Sequence, residues 1–356
     1  MLYDITMIFF FEKSFLGIDI GTSSIKIVEL SKKGKKINLE NYGEIPSFSF
    51  YKEEFRNYRK SSLFLSIEDI ARGIRAVIGE AGMKAKEAAF SIPDFSTFFI
   101  NLNLPPMSKE ELPEGVKYAA RQYIPLSLSE VSLDWMLIEG TPGTQERIKI
   151  LLAAVPNDLI YQYQKISQLS RLKLSFLEAE AFSLVRALIP NDSEDILSIL
   201  DIGAQSTTIN IVDKGKLKRS YSLNIAGNHF TQKIASALSI SYKKAELIKE
   251  EIGLLPSKER VNRLLFPLLN ALSIEVKRIF KEFSLSEQKE IKEVIISGAS
   301  ANLPGLRTYM EKELKKEVSI GNPFENIFYP SVLEKELKKI GPSFAVATGL
   351  ALRGLE

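Results

Sequence analysis

Apolar and polar residues alternate with clear periods along most of this chain, and two stretches do so in the same way. Residues 17–30 read GIDIGTSSIKIVEL and residues 200–212 read LDIGAQSTTINIV. With Asp19 aligned on Asp201, Gly21 falls on Gly203, Ser24 on Ser206 and Ile27 on Ile209. Each stretch is an apolar strand, then Asp-x-Gly and a short turn, then a strand of period two. That period puts Ile25 and Ile27, or Ile209 and Ile211, on one face. The pattern predicts a duplicated β-hairpin, and a duplicated hairpin of this kind builds two facing lobes.

The periods also divide the rest of the chain. Strands are predicted at 15–20, 24–30 and 37–44, and a helix at 67–80 from the stripe Ile67, Ile70, Ile74, Val77 and Ile78. A short buried strand, 88–92, ends at Pro93 and completes a βββαβ lobe. Residues 47–66 have no period and read as an irregular connection. The next block differs. A strand at 96–104 closes at Pro105 and Pro106, and a helix at 108–123 opens with Ser108 and Glu111 at capping-box spacing. Strands at 131–139 and 148–155 flank the turn Thr141-Pro142-Gly143, and Asn157 is expected to cap a helix at 157–170. This is a small α+β insert. The chain returns through a strand at 174–177 and a helix at 179–188.

The second lobe repeats the hairpin from Ile196, adds a third strand at 218–225, then helices at 227–238, 242–252 and 261–283. A strand at 294–297 ends in SGASANLPGL; a helix at 304–314, a strand at 317–320 and a closing helix at 344–353 follow. The fold class expected is α/β, with two duplicated βββαβ lobes. The first comprises 1–93 with 172–190, the insert 94–171, and the second 191–356, its closing helix packing back on the first.

With 356 residues there is enough chain for two domain-sized cores, and 45% apolar with 26% charged residues is an ordinary globular composition. A net charge of +3, with lysine and glutamate interleaved, offers no basic face for nucleic acid. The absence of cysteine removes disulfides, zinc fingers and thiol chemistry, and the single histidine, His229, leaves no multi-histidine metal site. His229 reads as structural or exposed. No apolar run is long enough to span a membrane, and the opening MLYDITMIFFF lacks the basic region and cleavage site of a signal peptide. Met1 and Met7 both stand as candidate starts, and the Phe9–Phe11 triple reads as packing.

Chemistry concentrates in the repeat. Asp19 and Asp201 each follow an apolar strand, where two carboxylates would hold Mg²⁺ largely through its waters; alternatively each simply starts a turn. Thr22, Ser23 and Ser24 supply N–H and hydroxyl donors without bulk. Lys26 either reaches a phosphate as a point charge or is a solvated strand lysine. In the second glycine-rich turn, Ser297, Gly298, Ala299 and Ser300 lead from strand to helix and let a nucleotide lie close to the backbone. Glu246 and Lys249 form a surface ion pair or clamp a ribose. Glu180 orients an attacking water or only favours the start of its helix. Phe95, Phe98 and Phe99 pack a core or line a peptide groove.

These pieces in this order resemble the actin-like ATPase superfamily, over nearly the whole chain from Phe15. GIDIGTSSIK is similar to its first phosphate motif, LDIGAQST to its second and ISGASANLPGL to its adenosine motif. LEAEAFSLVRAL and PSFAVATGLALR are similar to its two connecting helices. The resemblance implies ATP and Mg²⁺ between the lobes. Phosphates would be met by Asp19, Gly21, Thr22, Ser23, Ser24 and Lys26, and by Asp201, Gly203, Ala204, Gln205, Ser206 and Thr207. Gly227, Glu246, Lys249, Gly298, Ala299, Ser300 and Asn302 would hold the nucleoside, with Asp19 and Asp201 at the metal and Glu180 catalytic.

Within that superfamily FLGIDIGTSSIKIVEL, RQYIPLSLSEVSLDW, LLAAVPNDLI, LEAEAF and ISYKKAELIKEEIGL resemble the PilM family of type IV pilus assembly. That resemblance implies a cytoplasmic, slowly hydrolysing ATP-binding protein. It would be held at the inner membrane by the N-terminal peptide of PilN, with other pilus proteins and its own copies as further partners. The peptide is expected along strand 96–104, between the insert and the first lobe. The chain departs from the pattern at Ala226, Ala299 and Gln205, where glycine is usual. Two other families share the first motif. FGGY sugar kinases would need a further catalytic aspartate. FtsA-type division proteins carry a C-terminal membrane tail, which a chain stopping at Glu356 is not expected to have.

Overall fold

In a computed structural model, residues 13–46, 66–190 and 192–356 are described. The phenylalanine triple at 9–11, both candidate start methionines and almost all of the connection at 47–66 lie outside these residues. The chain runs β1 (Lys13–Ile20), β2 (Ser24–Lys33), β3 (Lys36–Pro46), α1 (Ile67–Glu80), β4 (Glu87–Ile92), β5 (Phe98–Leu104) and α2 (Leu112–Ala120). It continues through β6 (Val131–Glu139), β7 (Ile148–Pro156), α3 (Asn157–Leu169), β8 (Lys173–Ala179) and α4 (Glu180–Leu188). The second half holds β9 (Ile196–Ile202), β10 (Thr207–Asp213), β11 (Lys216–Leu223), α5 (Gly227–Leu238), α6 (Tyr242–Ile252) and α7 (Glu259–Glu287). It ends with β12 (Glu293–Ser297), α8 (Leu306–Leu314), β13 (Glu317–Ile320) and α9 (Glu334–Gly354).

The duplication is visible in the sheets. One has the order β3-β2-β1-β4-β8 and the other β11-β10-β9-β12-β13, so corresponding strands hold corresponding places. In each, an antiparallel hairpin meets a parallel strand through its first member. The turns match as well: a Cβ on Gly21 would lie 3.1 Å from the Ser24 carbonyl oxygen, and one on Gly203 would lie 3.1 Å from that of Ser206. The carboxyl ends of the parallel strands are where α/β sheets leave a crevice. Between the two sheets lie α4 and α9, whose Leu184, Phe344, Ala347 and Leu350 join Phe15, Val28, Leu197 and Ile199 in one buried cluster.

The insert is a three-stranded sheet, β5-β7-β6, backed by α2. The reciprocal hydrogen bonds of the predicted capping box form, from the Ser108 N–H to Glu111 Oε2 at 2.8 Å and from the Glu111 N–H to Ser108 Oγ at 3.3 Å, but they close the turn before α2, which begins at Leu112 rather than Ser108. Asn157 does not cap α3. Its amide instead donates to the Ser129 carbonyl at 2.9 Å and its oxygen accepts from Ser132, tying down the preceding loop. That helix, grouped with the insert by its place in the sequence, packs Leu159, Tyr163 and Ile166 into the cluster of Phe90 and Ile74 under the first sheet. The closing helix also starts earlier than expected. A proline usually stops a helix, but α9 passes through Pro342. Its carbonyl there accepts from Ser297 Oγ at 2.9 Å and the Gly298 N–H at 3.0 Å, which ties the helix to the second glycine-rich turn.

Polar contacts tie the insert to the second lobe. Lys149 of the insert, which also pairs with Glu139 beside it at 2.9 Å, crosses to Glu287 at 3.3 Å, and Arg219 of the second lobe holds that same carboxylate at 3.1 Å. Asn101 on β5 donates to the Lys218 carbonyl on β11 at 2.9 Å. No helix among the described residues is long and apolar enough to cross a membrane.

Candidate functional site

The two hairpin turns face each other across a cleft at the carboxyl ends of both sheets. Asp19, Gly21, Thr22, Ser23 and Lys26 line it from the first lobe, with Glu180 at the start of α4. Asp201, Gly203, Ala204, Gln205, Ser206, Gly298 and Ala299 line it from the second. Thirteen of the expected residues thus converge from segments far apart in sequence. Antiparallel pairing in β1–β2 sets Lys26 directly across from Asp19. The Lys26 ammonium donates to Ser24 Oγ at 2.5 Å and pairs with Glu44 at 3.3 Å, while Asp19 accepts from Ser91 at 2.8 Å.

The remaining expected residues lie elsewhere. Gly227, Ser300, Glu246 and Lys249 gather beside the second turn: a Cβ on Gly227 would be 2.6 Å from Ser300 Oγ and 3.5 Å from Lys249 Nζ. Lys249 donates to Glu246 at 2.7 Å, and Glu246 also accepts from Thr231. Thr207 turns into the sheet and donates to the Ile225 carbonyl at 2.6 Å. Asn302 is exposed, its amide on the Lys339 carbonyl at 2.5 Å.

Motif reading missed Asp94. It follows Pro93 at the carboxyl end of β4, beside β1, and is only 2% exposed. The helix α4 begins at Ala179 without a side-chain cap, and Asp94 supplies one from a distance: the Ala181 N–H donates to Asp94 Oδ1 at 3.1 Å. In return the Asp94 N–H donates to Glu180 Oε2 at 3.1 Å. Asp94 Oδ2 is buried without a hydrogen-bond partner among the described residues. The signal available in the sequence was an acidic residue directly after an apolar strand, at the crevice end of the sheet. The closing helix was expected, but not its place in the cleft, which Pro342, Ser343 and Val346 line.

Four carboxyl groups therefore share one region. Burial pushes Asp94 up to about 8, with Asp201 adding to the rise and the Ala181 N–H opposing it. Burial and the neighbouring Asp19 push Asp201 up to about 7, against Ser297 and Lys26. Burial also raises Asp19, although Lys26 and Ser91 pull it down. Glu180 stands well above the usual carboxylate range through burial and then Asp94, Asp19 and Asp201. Lys26 is the only basic side chain lining the cleft among the described residues. Such a negative well suits a divalent cation, and the glycine turns leave a cradle that a Cβ would fill. Gln205 Oε1 is another buried acceptor without a partner. The residues fit a Mg²⁺–phosphate group. No three acidic or histidine side chains among the described residues converge for direct chelation, so the ion would be held mainly through its waters.

A second opening, of about 710 Å³, lies between the insert, α4 and the second lobe. Residues 132–136 of β6 form one wall, Phe182, Val185 and Arg186 of α4 another, and the β10–β11 turn at 214–217 a third. At its floor Glu178, 6% exposed, binds Arg186 at 2.7 Å and Arg353 at 2.5 Å. The sequence pointed to the strand at 96–104, but Phe98 and Phe99 of β5 and Phe95 just before it are otherwise engaged. Phe95 lines the cleft, Phe98 packs in the insert core and Phe99 meets Phe182 edge to face at 6.1 Å. The groove follows β6, the opposite edge of that sheet.

Comparison with known proteins agrees with this architecture. The solved PilM-PilN type IV pilus biogenesis complex contains a chain 24% identical, covering 96% of this chain and 98% of that one at a TM-score of 0.84. MreB5 of Spiroplasma citri, solved bound to ADP, is 11% identical, covers 95% and 94%, and has a TM-score of 0.55. The cell division protein FtsA of Staphylococcus epidermidis is 21% identical over 355 residues, 88% of this chain and 75% of that protein. The fold is actin-like. The profile described as type IV pilus assembly protein PilM matches residues 17–355, and the chain belongs to that family.

Proposed function

We propose that the protein is a nucleotide-binding adaptor of the type IV pilus inner-membrane complex, holding Mg-ATP in the cleft and a PilN-type N-terminal peptide in the groove. The observation that carries this reading is the convergence of Asp19, Asp201 and Glu180 on one cleft with Lys26, between two duplicated turns. Mg²⁺, when bound, would neutralise phosphate charge and bridge the nucleotide to the protein. Asp19 and Asp201 would hold it through its waters. The turn N–H groups at 21–24 and 203–206 meet phosphate oxygens, with Lys26 as the compensating cation. Glu246 and Lys249 would clamp the ribose, and Glu180 would orient an attacking water. Burial and then Asp94, Asp19 and Asp201 hold Glu180 well above the usual carboxylate range, which disfavours its charged, proton-accepting form and fits slow hydrolysis.

The groove suits an extended peptide. Among the described residues β6 pairs only with β7, so its other edge is available for main-chain hydrogen bonds, while Leu133, Met136 and Phe182 offer apolar contacts. A membrane protein's cytoplasmic end bound there would bring the chain to the inner face of the membrane. The one tryptophan of the sequence, Trp135, lies in this wall and reports occupancy. A PilN-type N-terminal peptide should change its fluorescence saturably, and a photocrosslinker in that peptide should label 132–136 or 214–217. No saturable change, or labelling confined to other surfaces, removes the peptide assignment.

A further inference from the structure

The cleft and the groove share a helix. Glu180, the first residue of α4, lines the cleft, while Phe182, Val185 and Arg186 of the same helix line the groove. Nine residues of helix are too short to bend appreciably, so a displacement of the first turn is carried to the rest. The groove is also a three-body junction. Ala181 of α4, Leu151 of the insert and Leu217 of the second lobe form one buried cluster, with Phe99 and Phe182 packed on it. One wall of the groove thus belongs to each lobe and one to the insert.

The first turn of α4 is held by a reciprocal pair. Asp94 Oδ1 takes the Ala181 N–H and Glu180 Oε2 takes the Asp94 N–H, each at 3.1 Å. The second oxygen of Asp94 remains buried and without a partner among the described residues. A buried acceptor of that kind is a costly group that a small rearrangement, or an arriving water, would satisfy. Glu180 is exposed to whatever charge enters the cleft, and its other attachment is Asp94. A metal–phosphate group in the cleft changes the force on Glu180, and Asp94 is the contact that passes it to the helix.

We propose that Asp94 is a positioning residue that couples the two openings: it fixes the start of α4 at the cleft and thereby the groove wall that the helix forms. The coupling rests on the reading of the cleft as a nucleotide site. A ligand shifts an equilibrium only by its differential affinity for two arrangements, and the effect is reciprocal. Mg-nucleotide in the cleft therefore alters the groove, and an extended peptide in the groove alters nucleotide affinity by the same factor.

The test reads the groove without any peptide. Mg-AMPPNP is added while Trp135 emission is followed, and nucleotide binding is measured separately by displacement of a fluorescent ATP analogue. The wild-type emission should change saturably, with the midpoint of the displacement curve. Asp94→Ala should bind nucleotide within about threefold of wild type, well inside the usual range of allosteric factors, yet lose the emission change. Asp94→Asn, which keeps an acceptor for the Ala181 N–H, should retain most of it. Phe182→Ala cuts the link between α4 and the insert and should lose it as well; this variant decides the matter if Asp94→Ala does not fold. Nucleotide binding with unchanged emission overturns the coupling, as does an emission change that survives in Asp94→Ala and Phe182→Ala. Failure of displacement in the wild type instead removes the nucleotide reading and the coupling with it.

Discussion

Asp201→Asn is expected to make the ligand-free protein more stable at pH 8 while abolishing its response to Mg-ATP. Asp201 titrates near 7 in the folded protein against an ordinary value of 3.8, through burial and then Asp19. A carboxyl raised on folding binds its proton more tightly in the native state. Stability therefore falls as pH rises from about 4 to about 7, and the loss is complete above the folded value. Asp94, raised to about 8, extends the same slope upward. Asparagine carries no charge to bury. The variant should gain on the order of 2 kcal/mol over wild type at pH 8 and little at pH 5, compared by denaturant unfolding. Mg-ATP at a hundredfold excess over its Kd should stabilise wild type by about 2.7 kcal/mol, and the variant far less. A variant less stable than wild type at pH 8, or one with an undiminished Mg-ATP response, would contradict the view of this carboxylate as strained in favour of a cation.

The second large effect is steric and concerns α9. A Cβ on Gly349 would lie 2.0 Å from the Ser183 carbonyl oxygen of α4 and 2.9 Å from its Cα, and one on Gly17 would lie 1.9 Å from the Ala347 carbonyl oxygen. These neighbours are backbone, so they cannot turn aside. Gly349→Ala should cost about 3 kcal/mol or more, and Gly349→Val should prevent folding. Gly79 provides the contrast. It is exposed within α1 and a Cβ there meets nothing within 4 Å, so Gly79→Ala should raise stability by about 0.5–1 kcal/mol. Thermal unfolding of the two alanine variants beside wild type checks both signs. Equal effects would show that the close approach of α9 to α4 and β1 is not what holds the lobes together.

What the sequence made legible follows from the range of the interactions involved. The duplicated hairpins rest on local facts: alternation in 24–28 and 207–212, and glycine at 21 and 203 where a side chain would crowd the turn. Asp19 and Asp201 come with them. Asp94 belongs to no repeat, and its role as a cap for α4 depends on β4 and β8 being neighbours, which local periodicity does not encode. Pro342 reads as a helix stop, yet the carbonyl at that position is used by Ser297 and Gly298 from another element. The groove is the clearest case. Both β5 and β6 carry apolar residues in alternation, and only tertiary placement shows that β5 faces β11 and α4 while β6 borders open space.

The account turns on the cleft between the lobes, and equilibrium titration of the wild-type protein with a fluorescent ATP analogue tests it most directly. With Mg²⁺ present the account predicts saturable binding of one nucleotide per chain, displaced by ATP. Binding should be strongly weakened by EDTA and by Asp19→Ala, because on this account Asp19 and Asp201 would hold the metal rather than the nucleotide itself. Absence of saturable binding, or binding equally tight in EDTA and in Asp19→Ala, would contradict it.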